Sequence, residues 1–89
     1  MNKQDVLRHK IIAVDLDGFL CHGESYTAQD CLNAKPNPAM IDVIRYLHAQ
    51  NWIIIYTARL DHLIPATLEW LRRHDVPYRA ISNNKLGVS

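Results

Sequence analysis

Asp15 and Asp17 stand one residue apart in the run Ile-Ile-Ala-Val-Asp-Leu-Asp-Gly-Phe-Leu at residues 11–20, directly after four apolar residues. On an extended chain, positions i and i+2 share a face, so the two carboxylates point the same way, and Gly18 lets the backbone turn sharply just beyond them. Two acids this close repel, which raises the proton affinity of one or recruits a cation. Mg²⁺ suits such a site: it prefers oxygen ligands, keeps several waters, and typically takes one or two carboxylates plus a substrate phosphate.

An acidic pair does this chemistry only if the chain holds it at the rim of a fold. Residues 11–15 and 52–57 (Trp-Ile-Ile-Ile-Tyr-Thr) are short, continuous apolar runs, rich in β-branched and aromatic residues, as expected for parallel strands buried on both faces. Between them Asn37-Pro38 reads as an N-cap followed by proline in the first helical turn. Met40, Ile41, Ile44, Leu47 and His48 then recur at helical spacing, so a helix runs to about Asn51. Ile64, Leu68 and Leu71 mark a second helix, starting no earlier than about Asp61 and stopping before Pro77. Residues 78–82 supply a third, weaker strand, closed by the turn residues Ser82-Asn83-Asn84. Strand, helix, strand, helix, strand with right-handed crossovers gives a parallel sheet, and ligands in open sheets sit at the carboxyl ends of the strands. Asp15, Thr57 and Asn83-Asn84-Lys85 fall at those ends. Residues 18–37 form a long polar excursion straight after Asp17, a position that favours a lid.

The remaining bounds come from composition. With 89 residues, 48% of them hydrophobic, and a formal net charge of +1, the chain reads as one small domain, 1–89, with thin stability unless a metal or a partner helps. The near-zero charge and scattered basic residues give no reason to expect a nucleic-acid or anionic-membrane surface. Cys21 and Cys31 lack ligand-like spacing and nothing resembles a secretory signal, so reduced thiols in a cytoplasmic protein are expected. No apolar run is long enough to span a bilayer. Arg59 is open between substrate contact, a salt bridge and solvent. Asp61 reads as the cap of the second helix. Trp52, Trp70 and the tyrosines read as packing residues, with Tyr26 in the lid the one candidate for stacking on a sugar.

Asp15-Leu16-Asp17-Gly18 after an apolar strand, Thr57 closing Ile-Ile-Ile-Tyr-Thr-Ala-Arg, and Lys85 after the third strand resemble the first three motifs of the haloacid dehalogenase superfamily of phosphatases. More narrowly, Ala34-Lys35-Pro36-Asn37-Pro38, Tyr56-Thr57-Ala58-Arg59 and Thr67-Leu68-Glu69-Trp70-Leu71 resemble its small, nearly capless members linked to capsule and polysaccharide biosynthesis. The resemblance runs from Ile11 to Lys85. It implies a Rossmann-like three-layer sandwich with a short parallel sheet and a minimal cap. It also implies a Mg²⁺-dependent phosphomonoesterase acting on a small phosphorylated metabolite, by family analogy a sugar phosphate. Asp15 would be the nucleophile, Asp17 the general acid and base, Thr57, Ala58 and Lys85 the phosphate-binding and charge-neutralising groups, and Asp15 with the main-chain carbonyl of Asp17 the metal ligands.

Two departures accompany the resemblance. No Asp or Glu follows Asp75, whereas the family places a fourth, acidic motif on a further strand beyond the lysine; a site without it should hold Mg²⁺ less tightly. Phe19 stands where family members usually carry a small or β-branched residue such as threonine. The competing expectation is a catalytically impaired remnant of the same fold that binds phosphate or a partner, and an open sheet edge would let it pair with another copy. A phosphorylatable receiver-like domain ranks third, because its acceptor aspartate belongs at the end of a middle strand, where this chain has Thr57.

Overall fold

Asn37 and Pro38 do what their types dictate: the Asn37 side chain accepts from the Met40 N–H, and Pro38 opens an 11-residue helix. The computed structural model describes residues 9–83. In chain order these form β1 (Ile11–Asp15), α1 (Ala28–Asn33), α2 (Pro38–His48), β2 (Trp52–Tyr56), a 3₁₀ turn (Asp61–Leu63), α3 (Ile64–Arg73) and β3 (Ala80–Ser82). The sheet is parallel throughout, in the order β1-β2-β3, with Ile11 opposite Trp52, Asp15 opposite Tyr56, and Tyr56 opposite Ser82. This is a small α/β domain of Rossmann-like construction.

Two right-handed crossovers that step the same way across a sheet put both helices on the same face. Burial agrees: Val14, Ile53 and Ile55 form one core with Ile41 and Ile44 of α2, Trp70 and Leu71 of α3, and Leu16, Leu20 and Cys21 from the start of the lid. Each such buried apolar side chain contributes about 1.5–3 kcal/mol against exposure, so this single layer of contacts carries the fold. On the other face Ile11 is 76% and Trp52 51% exposed. The expected burial of both strand faces and the three-layer sandwich are therefore corrected: the described residues make two layers. A continuous apolar run looks the same whether one face or two is covered, because β-branched residues are favoured on both. On the uncovered face the Arg79 guanidinium lies 4.2 Å from the Trp52 ring centroid, which shields part of the indole from water.

Long-range polar contacts fix the layers. Asn51 is buried and bridges two elements, accepting from the Lys10 N–H at 3.0 Å and donating to the Leu47 carbonyl at 2.9 Å. Arg45 donates to the carbonyls of His74 and Asp75 beyond the end of α3. The indole N–H of Trp70 donates to the Ala34 carbonyl at 2.8 Å, tying the far end of the excursion to α3.

The excursion 18–37 is more structured than its composition suggests. Gly18 and Gly23 take φ of +85° and +76°, the left-handed turns that glycine allows without strain. Cys21 bridges both Asp17 and Pro36. Thr27 and Asp30 form a reciprocal capping box at the start of α1. Among the described residues no helix is long and apolar enough to cross a membrane.

Candidate functional site

β1 and β2 end side by side, so Asp15 and Tyr56 are lateral neighbours on the sheet. The chain beyond each strand then turns over the same rim. There Asp15, Asp17, Thr57 and Ala58 line one cavity of about 580 Å³, walled by Ser25 and Tyr26 of the excursion and by Leu60 and His62. The structure thus brings together four of the five expected site residues. Lys85 lies outside the described residues.

The Asp15 side chain is exposed and makes no hydrogen bond or ion pair to any described residue, leaving its carboxylate open to a ligand. Thr57 has its hydroxyl oxygen engaged as acceptor of the Arg59 N–H at 3.1 Å, so its own O–H remains to donate into the cavity. The N–H groups of Asp17 and Ala58 have no acceptor among the described residues. A hydroxyl and two amide donors beside a free carboxylate suit a tetrahedral anion attacked from the Asp15 side.

Asp17 is not free. Both of its oxygens accept from Arg59, Oδ1 from Nη2 at 2.7 Å and Oδ2 from Nε at 3.2 Å, in the two-point pairing that guanidinium geometry favours. Arg59 is only 5% exposed, and it donates further from Nη1 to the Thr67 hydroxyl at 2.7 Å and from Nη2 to the Ser25 hydroxyl at 3.2 Å. Thr67 in turn donates to the Leu63 carbonyl. Burial alone would lower the Arg59 pKa; the hydrogen bonds and charge of Asp17 overcome it and raise the value. Of the three fates open to Arg59, the structure selects the salt bridge. The guanidinium ties together the acid, the lid and α3. The metal contact expected of Asp17 is through its main-chain carbonyl, which accepts from no described backbone donor.

Cys21 packs against the same ion pair, with Sγ 3.6 Å from Asp17 Oδ1 and 3.7 Å from Arg59 Nη2. Burial first, then the Asp17 charge, push its thiol up to about 11 from 9.0, against the opposing pull of Arg59. The folded state thus prefers the neutral thiol. Its contribution to stability is constant below about pH 9 and declines as pH rises toward 11, by roughly 2–3 kcal/mol at 1.36 kcal/mol per unit. Urea melts between pH 8 and 11 should show this fall, and Cys21→Ala should flatten it; an unchanged slope rejects the coupling. Cys21 is buried against this ion pair. His22 is exposed and does not line the cavity, whereas His62 does.

Two further positions are re-read. Asp61 opens the 3₁₀ turn and accepts from the Asn83 amide, which also donates to the Arg59 carbonyl at 3.3 Å; the N-cap of α3 is Leu63. Asn83 thereby pins the end of β3 to the loop carrying Arg59. Tyr26 is held by its N–H to Asp30 Oδ2 at 3.1 Å and by its hydroxyl to Glu24, whose hydrogen bond and charge raise the phenol pKa.

The fold and the rim together define a Rossmann-like α/β domain with a cavity at the carboxyl ends of its first two strands. No family model matches the chain, and no curated protein matches it. Among solved structures it is similar to a chain of the Pnkp1/Rnl/Hen1 RNA repair complex, at a TM-score of 0.73 and 20% identity over 83% of this chain. A chain from a second structure of the Pnkp1/Rnl/Hen1 complex gives 0.72 and 18% over 88%. The match takes up 25% and 29% of those longer chains, so the likeness is one of fold over a part of each.

Proposed function

We propose that this domain is a phosphomonoester hydrolase of the haloacid dehalogenase type. The observation that carries the reading is the unpartnered Asp15 carboxylate facing the same cavity as the Thr57 hydroxyl and the Ala58 N–H. In the first step an Asp15 oxygen bonds to phosphorus as the ester P–O bond breaks, and the departing oxygen takes a proton from Asp17. In the second step water attacks the aspartyl-phosphate, Asp17 takes the water's proton, and phosphate leaves with Asp15 regenerated. Splitting the displacement lets one carboxylate serve as nucleophile and the other as proton carrier. Arg59 keeps Asp17 in place for both steps; Oδ2, which accepts only from Arg59 Nε among the described donors, retains a second lone pair for the travelling proton.

Mg²⁺ fits the donors present: the open Asp15 carboxylate and the Asp17 carbonyl, which accepts from no described donor, would hold it. Among the described residues no cluster of three or more acidic, histidine or cysteine side chains is placed to hold a metal, so the ion would depend on substrate for much of its coordination. When bound, Mg²⁺ would offset the repulsion between the acids and the incoming phosphate.

Arg59 also favours a second reading, a module that binds phosphate without turning it over, because the proton carrier is engaged in an ion pair with a buried guanidinium. The chains similar in fold come from an RNA repair complex, so phosphorylated polynucleotide ends belong among the substrates assayed beside small esters. The test is phosphate release from p-nitrophenyl phosphate with Mg²⁺ and with excess chelator. Release that requires Mg²⁺ supports the hydrolase; phosphate binding with no release on any ester supports the binding module and rejects the hydrolase.

A further inference from the structure

The cavity is much larger than a phosphate group needs. About 580 Å³ falls within the range of sites that enclose a whole small organic ligand. Besides the acids, Thr57 and Ala58, its lining includes Tyr26, Leu60 and His62, with Tyr56 flanking Asp15 across the strands.

These side chains are not explained by packing. Tyr26 is 73% and Tyr56 41% exposed, and neither belongs to the core. Yet Tyr26 is fixed in place: its N–H is held by Asp30, its hydroxyl by Glu24, and its neighbour Ser25 by Arg59. An exposed aromatic ring tethered at its hydroxyl, on a backbone that is itself held, is a preorganised platform. Ordering it costs little on binding, because few rotamers are left to lose.

Charge points the same way. Asp15, Asp17 and Glu24 line the cavity against one guanidinium already committed to Asp17, so Coulomb attraction from the described side chains gives an anionic ester little help. Affinity for the organic half has to come from stacking and apolar contact, which a flat ring offers and an open-chain or compact polyol does not.

We propose that the site selects phosphomonoesters whose organic part carries a flat aromatic or heteroaromatic ring, seated on Tyr26 between Leu60 and His62. This rests on reading the acidic rim as a phosphate site. It departs from the compact sugar phosphate that the sequence resemblance implies.

Binding and turnover are measured separately. Adenosine monophosphate, phenyl phosphate and glycerol phosphate are titrated by calorimetry against Asp15→Asn with Mg²⁺ present. The two ring-bearing esters should bind about tenfold more tightly than glycerol phosphate, and Tyr26→Ala in the same background should erase the difference while Tyr26→Phe keeps most of it. A nucleobase-specific site would separate adenosine monophosphate from phenyl phosphate; a general stacking platform would not, and either result fits the proposal. Equal affinity for all three esters, absence of binding to any, or a preference untouched by Tyr26→Ala overturns it. Phosphate release by the unaltered protein is scored independently. Ring preference without release would reject the hydrolase and keep this inference, and release without ring preference would do the reverse.

Discussion

Asp15→Asn should lower phosphate release by on the order of 10³-fold or more while leaving the fold intact. Asparagine has nearly the shape of aspartate but offers an amide, which does not attack phosphorus as a carboxylate does. The stability half of this expectation comes from the structure: the Asp15 side chain is exposed and meets no described partner, so the change should move unfolding by no more than about 0.5 kcal/mol. Acid-quenched samples of the unaltered protein should carry an acyl-phosphate labelled from the substrate, and the variant should carry none. Undiminished release by Asp15→Asn removes the nucleophile assignment outright.

Arg59→Ala should be the most destabilising polar substitution in the domain, costing about 3–5 kcal/mol. It removes one member of a buried pair and strands three acceptors at once: the Asp17 carboxylate, the Thr67 hydroxyl and the Ser25 hydroxyl. A chain of 89 residues has a total stability on the order of 5–10 kcal/mol, so this is about half of it. Arg59→Lys should recover little, because an ammonium group is a point donor and does not reach both Asp17 oxygens and Thr67 together. The informative control is Asp17→Asn combined with Arg59→Met, which deletes both charges. If the cost of Arg59→Ala comes from a stranded charge, the double variant should be more stable than Arg59→Ala in urea melts. A single-variant cost below about 1 kcal/mol would mean that the clasp is incidental.

The contrast between Asp15 and Arg59 also shows which parts of this molecule are readable from its sequence. Strand positions, the Asn37-Pro38 helix start and the convergence of Asp15, Asp17 and Thr57 depend on short-range patterns: two-residue alternation, capping, and strand ends that parallel topology must align. Arg59 depends on Asp17, 42 positions away, and no local pattern says which acid an arginine will find. The short helix α1 was missed for another reason. Its only buried residue is Cys31, too little for a periodic stripe, although Thr27-x-x-Asp30 was present as a capping signal. The third strand forms over three residues instead of five. The Arg79 N–H already bonds the Ile53 carbonyl, but regular pairing runs only from Ala80 to Ser82. The uncovered face escaped because it is a property of crossover direction, which strand composition does not encode.

That same crossover direction has a bearing on how a pocket arises here at all. In doubly wound sheets the binding crevice opens where neighbouring strand-to-helix connections peel away to opposite sides, and the topology itself digs the cleft. The strand order β1-β2-β3 contains no such reversal among the described residues, so these connections leave toward one side and would by themselves present a flat ledge. Depth must therefore be added by an appendage, and residues 18–37, buttressed by Trp70 at one end and Arg59 at the other, are that retaining wall. Substrate range in this molecule should accordingly evolve through the wall, while the ledge stays fixed.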